Sequence, residues 1–215
     1  MTKAIIFDMD GTMINNMSYH LTAWEQMMHE LNHPLRGKPL FSQLYGSNKG
    51  VIERIFGDGH FDTAAIQQLS DRKEEIYRNL YHPHIQLMPG LAAFLEQQYQ
   101  RGTPMALGTA SNRPNIDFTM ETLGIRHYFK TIVSADDVAK GKPDPEVYLK
   151  AAAQMGIVPG ECLVFEDVPK GVEAAANAGM KAIVVTSTHS PEEFLAYQNV
   201  ITFIEDYNGF NIDNY

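Results

Sequence analysis

The sequence predicts an α/β protein: a doubly wound parallel sheet with a small all-helical domain inserted after its first strand. Three observations predict it. Short, unbroken apolar runs recur at residues 4–7, 105–108, 162–165 and 182–185, each the mark of a strand buried on both faces. From Pro89 onward such runs alternate with stretches of helical spacing, the pattern of parallel strands joined by helices. Between the first run and the second, residues 17–81 carry helical spacing alone.

The elements follow in order. Ala4-Ile5-Ile6-Phe7 is the first strand, and Asp8-Met9-Asp10-Gly11-Thr12 reads as the turn after it. Met17, Leu21, Trp24, Met28 and Leu31 recur at helical spacing, and Asn32-His33-Pro34 stops that helix. Two more helices are expected over about 41–56 and 62–81, separated by Gly57-Asp58-Gly59. His82-Pro83-His84 breaks the pattern. A helix near 90–100 precedes the strand that ends at Gly108, and a helix over 115–123 ends at Gly124, a favoured C-cap residue. Residues 131–134 form a strand. Asp144-Pro145-Glu146 opens a helix with an acid at the cap and proline in the first turn, and Gly156 closes it. A strand over 162–165, a helix over 169–177 and a strand over 182–185 complete the pattern. The expected boundaries are 1–14 and 85–215 for the α/β core and 15–84 for the helical insertion.

Composition excludes several classes. A formal charge of −9 disfavours non-specific binding to nucleic acid or to anionic membranes. No stretch approaches the roughly 20 apolar residues of a membrane span, and Ala4–Phe7 is too short for a secretory h-region. One cysteine, Cys162, gives no disulfide framework, so a reducing, cytoplasmic setting is expected.

In doubly wound sheets, ligands bind at the carboxyl ends of the strands. The polar motifs all follow apolar strands, so they should converge there. Asp8 and Asp10, two apart, can present both carboxylates on one side of an extended segment. Two such groups without a cation would raise one pKa strongly, and a hard divalent ion such as Mg²⁺ resolves the conflict. Glu166 and Asp167 add carboxylates at another strand end. Thr109, with the amide of Ala110 leading toward a helix, makes an anion site. Lys142 supplies a compact positive charge suited to a phosphoryl group. This set can run phosphoryl transfer through an aspartyl-phosphate.

Asp8-Met9-Asp10-Gly11-Thr12, Thr109, Lys142 and Glu166-Asp167 resemble, in order and context, the motifs of the haloacid dehalogenase-like hydrolase superfamily. Gly141-Lys142-Pro143-Asp144-Pro145 and Phe165-Glu166-Asp167 look like its branch of β-phosphoglucomutases and small sugar-phosphate phosphatases. The resemblance implies a Rossmann-like core with a helical cap that closes over a small ligand. It implies Asp8 as nucleophile and metal ligand, and Asp10 as general acid and base with its carbonyl on the metal. Asp167, with Glu166 helping, would be a further Mg²⁺ ligand, and Thr109 and Lys142 would hold the phosphoryl oxygens. The second aspartate, Asp10, argues for phosphoryl transfer over dehalogenation. In the cap, His20, Lys49 and Lys73 are substrate-side candidates by analogy. Asn15-Asn16 departs from the usual pattern at the presumed hinge. The implied activity is a Mg²⁺-dependent phosphatase of a small phosphorylated metabolite, with a phosphohexomutase as the alternative. No nucleic-acid or membrane partner and a monomeric state are expected.

Other residues read as structural. His29 and His33 are four apart, but Pro34 ends the helix and no third ligand follows. His82 and His84 flank a proline, and Cys162 begins an apolar strand with no base nearby, as a core residue would.

Overall fold

Six strands, all parallel, form one sheet in the order β3-β2-β1-β4-β5-β6. They are β1 (Ala4–Phe7), β2 (Met105–Gly108), β3 (Thr131–Val133), β4 (Cys162–Glu166), β5 (Lys181–Val185) and β6 (Val200–Ile204). The computed structural model describes residues 2–44 and 46–215. The chain divides into two units, one of Met1–Asn15 with Ile85–Tyr215 and one of Asn16–His84.

The sheet unit carries helices α5 (Leu91–Gln100), α6 (Arg113–Thr122), α7 (Glu146–Met155) and α8 (Pro169–Asn177). β1 is buried along its whole length, which is why it reads as an unbroken apolar run rather than an alternating one. Alternate residues still face opposite ways. Ala4 and Ile6 join Ala106, Val164, Ala182 and Val184 in a cluster with Tyr148 and Ala151 of α7 and Val172 and Ala175 of α8. Phe7 stacks on Phe165 at 5.0 Å and meets the edge of Phe94 of α5 at 6.3 Å. Helices thus cover both faces, which defines a doubly wound sheet.

The second unit holds α1 (Met17–Glu30), α2 (Gly37–Phe41), α3 (Asn48–Phe56) and α4 (Thr63–Tyr81). Ala23, Trp24, Met27 and Met28 of α1 and Ile76, Tyr77 and Tyr81 of α4 are among its buried apolar residues, with Leu40 of α2 and Val51 and Ile52 of α3. Tyr19 meets Tyr81 at 4.7 Å between ring centroids.

Three local expectations are corrected. The helix expected over about 41–56 begins only at Asn48, and a separate short helix, α2, ends at Phe41. Gly46 takes φ +77, and the Ser47 hydroxyl accepts from the Gly50 amide, so α3 starts afresh at Asn48. α6 begins at Arg113 rather than 115, because Asn112 caps it by accepting from the Asn115 amide. The helix at 144–156 is entered one residue later than expected. Pro145 is its N-cap, and the Asp144 carboxylate accepts from the Glu146 amide. Gly156 closes α7 in the left-handed conformation, as expected. β6 was not anticipated at all.

Candidate active site

Strand order decides where the polar motifs meet. Connections run outward from β1 through β2 to β3, then return to β4 and run outward again to β6. The reversal lies between β1 and β4, and the crevice past their carboxyl ends is where such sheets bind ligands. Register aligns Phe7 with Phe165, and the Asp8 amide donates to the Phe165 carbonyl at 3.0 Å. Asp8 and Glu166-Asp167 are therefore neighbours because of backbone pairing. β2 lies on the other side of β1, with Phe7 aligned to Leu107, so Thr109 emerges at the same edge.

The turn after β1 is tight. The Gly11 amide donates to the Ile14 carbonyl at 2.8 Å, and Gly11 takes φ +82. A Cβ at Gly11 would overlap the Asp167 carboxylate, so glycine is required here on two counts.

Lys142 reaches this edge from the loop before α7. Its ammonium donates to Asp8 Oδ1 at 2.6 Å and to Glu166 Oε1 at 2.6 Å, and lies 4.9 Å from the centre of the Tyr148 ring. Glu166 is fully enclosed. Its Oε1 also accepts from the Tyr148 hydroxyl at 2.6 Å, and its Oε2 accepts from the amides of Asp167 at 3.0 Å and Val168 at 3.2 Å. Asp167 accepts from the Thr12 hydroxyl at 3.0 Å and from the Thr188 hydroxyl at 2.5 Å. The Ser111 hydroxyl donates to Asp10 Oδ2. Thr109 is buried, and its hydroxyl oxygen accepts from the Ser111 amide at 3.1 Å, which leaves its own hydrogen to donate elsewhere.

Burial shapes the charge states. Removal from water lifts the Asp8 carboxyl to about 7; Lys142 opposes this, while Glu166 and Asp10 reinforce it. Burial pushes Asp167 well above the carboxylate range, with Glu166 and Asp8 adding to the shift. Burial pulls the Lys142 ammonium down, but Asp8 and Glu166 outweigh it and hold it well above the ordinary lysine value.

Asp8, Glu166 and Asp167 each offer an oxygen, all within 4.8 Å of one another and all on buried residues. An oxygen-only, strongly negative donor set of this kind fits a hard divalent cation. Asp10 joins this edge through the tight turn. Its side chain is turned to Ser111 rather than into the carboxylate group.

In the helical unit the structure brings His20 and Lys73 together. Lys73 is 3% exposed, and its ammonium lies 2.8 Å from His20 Nδ1 and 2.9 Å from Glu74 Oε1. An ammonium only donates, so Nδ1 accepts from Lys73. Asn16 is buried beside them, its amide 2.6 Å from the Tyr77 hydroxyl and 3.3 Å from His20 Nε2. Lys49 stands apart from this group, at the surface, 3.7 Å from Glu53. Cys162 lies buried at the start of β4.

Sequence reasoning did not assign Thr12, Ser111, Tyr148 or Thr188. Thr12 and Ser111 lie inside the motifs that carry Asp10 and Thr109, the only signal that pointed to them. Tyr148 and Thr188 had none.

An aspartate, a lysine and a buried carboxylate group at the switch point of a parallel sheet define a site of the doubly wound α/β class. A sequence model of the haloacid dehalogenase-like hydrolases matches residues 5–185, and the chain belongs to that family. It is 33% identical over 190 residues to the β-phosphoglucomutase of Bacillus subtilis, covering 85% of this chain and 83% of that one. It is 32% identical over 183 residues to fructose-1-phosphate phosphatase YqaB of Escherichia coli, covering 84% and 95%. Among solved structures, a family IA, variant 3 hydrolase from Entamoeba histolytica superposes with a TM-score of 0.89 at 27% identity, covering 99% of this chain and 96% of that one. Among the described residues, no helix is long and apolar enough to cross a membrane.

Proposed function

We propose that this protein is a Mg²⁺-dependent phosphatase of a small phosphorylated metabolite, of the sugar-phosphate class, acting through an aspartyl-phosphate on Asp8. The observation that carries this reading is the arrangement at Asp8. One oxygen, Oδ1, is held by Lys142 at 2.6 Å, and the carboxylate sits beside Glu166 and Asp167 at the switch point. The relatives that hydrolyse phosphorylated sugars support it.

Asp8 attacks phosphorus with the oxygen that Lys142 does not take, and the bond from phosphorus to the substrate oxygen breaks. Asp10 gives its proton to that leaving oxygen. It then takes a proton from the water that attacks phosphorus, and phosphate leaves Asp8. Thr109 donates its hydroxyl hydrogen to a phosphoryl oxygen, and Lys142 offsets developing negative charge. Asp8 and Asp167, with Glu166 and the Asp10 carbonyl, would hold Mg²⁺, which supplies the positive charge that lets a phosphate approach so many carboxylates.

The test is phosphate release from a panel of sugar phosphates and p-nitrophenyl phosphate, with and without Mg²⁺. At least one ester should be turned over, with loss to background in chelator and in Asp8→Asn. Full activity of Asp8→Asn would remove the nucleophile from the reading. A second reading, a phosphohexomutase, is favoured by the part-buried His20–Lys73 pair and by the Bacillus relative. Conversion of β-glucose 1-phosphate to glucose 6-phosphate much faster than phosphate release would establish it.

A further inference from the structure

The proton-transfer role given to Asp10 needs its carboxyl held in one orientation, and the structure shows how. The Asp10 backbone is fixed by the turn, through the bridge to Ile14 and the Gly11-to-Ile14 hydrogen bond of 2.8 Å. Only its side-chain torsions remain, and the Ser111 hydroxyl donates to Oδ2. Ser111 is itself anchored on both sides. Its amide donates to the Thr109 hydroxyl at 3.1 Å, and its carbonyl accepts from the Ala135 amide at 3.1 Å. Ser111 is 9% exposed, so water competes weakly for its hydroxyl.

We infer that Ser111 is a positioning residue for Asp10, fixing the carboxyl that protonates the leaving oxygen. The inference rests on the proposed phosphatase reading. It makes a chemical distinction. An aryl leaving group such as p-nitrophenolate departs with little need of a proton. An alkoxide leaving group from a sugar does not. A loose Asp10 therefore penalises sugar phosphates more than aryl phosphates. The constant kcat/KM reports the steps up to departure of the leaving group, so it isolates this proton from the later hydrolysis of the aspartyl-phosphate.

The experiment compares kcat/KM for the best sugar phosphate of the panel with that for p-nitrophenyl phosphate, in wild type, Ser111→Ala and Ser111→Thr. Urea unfolding confirms that each variant is folded. The sugar-to-aryl ratio should fall about 10-fold or more in Ser111→Ala, a fraction of the usual general-acid contribution. It should recover in Ser111→Thr, which keeps the hydroxyl. An unchanged ratio in Ser111→Ala overturns the inference, and so does a rise in KM shared by both esters, which would make Ser111 a binding residue. A ratio low in both variants also overturns it, because the hydroxyl would not be what matters. If wild type turns over no ester at all, it is the phosphatase reading that fails.

Discussion

Gly171 lies in the first turn of α8, and replacing it with alanine tests how rigidly Glu166 is held. A Cβ there would overlap the Glu166 carboxylate, which must swing away. A flexible acid at a surface would do so at little cost. Glu166 is fully buried, and it would leave Lys142 at 2.6 Å, the Tyr148 hydroxyl at 2.6 Å and two amides at 3.0 and 3.2 Å. Breaking a buried ion pair of this kind costs about 3–5 kcal/mol. Alanine returns at most about 1 kcal/mol over glycine in a helix. The net loss should be about 2–4 kcal/mol, which for a chain of this size lowers Tm by roughly 5–15 °C. Equilibrium urea unfolding of wild type and Gly171→Ala measures it. Gly50 in α3 is the contrast, since a Cβ there meets only ordinary contacts with Arg54 at 3.4 Å and Ser47 at 3.5 Å. Gly50→Ala should be neutral or slightly stabilising. A Gly171→Ala protein as stable as wild type would refute the claim that Glu166 is locked in place.

Further expectations follow from the same geometry. With the metal-free Asp8 carboxyl at about 7 and Asp167 also raised, Mg²⁺ must displace protons near and below neutrality, so its apparent affinity should rise with pH through that range. Titration calorimetry in two buffers of different ionisation enthalpy counts the released protons; none released near pH 6.5 would contradict the burial of Asp8. Lys142→Ala should lower both kcat and the apparent affinity for phosphate esters, as steady-state kinetics would show, because the ammonium faces Asp8, the proposed nucleophile, at 2.6 Å. Burial lifts the Cys162 thiol to about 11, with Glu161 adding, so the thiolate fraction at pH 8 is on the order of 10⁻³. Ellman's reagent should then react slowly with native protein and with one thiol per chain in denaturant.

The elements legible from sequence are those whose signal is local. β1, β2 and β4 are buried strands with a polar residue at or just past their ends, so an apolar run followed by Asp8, Thr109 or Glu166-Asp167 marks both the strand and the site edge. β6 escaped notice because it is a half-exposed edge strand with no polar motif behind it. The hydroxyl partners escaped for another reason. Thr12 meets Asp167 across 155 residues and Ser111 meets Asp10 across 101. Which serine or threonine will reach which acid depends on strand order, and no periodicity records strand order.

Those hydroxyls hold so acidic a site in place without adding positive charge to it. Asp10, Glu166 and Asp167 each accept from a neutral hydroxyl: Ser111, Tyr148, and Thr12 with Thr188. Asp8 and Glu166 share the single ammonium of Lys142. A second lysine on Asp167 would satisfy the same oxygens and cancel the negative field that a divalent cation would need. A hydroxyl fixes the carboxylate's orientation and leaves that field standing. The arrangement thus separates two tasks. Hydroxyls set geometry, and Lys142 is kept beside Asp8, the proposed nucleophile.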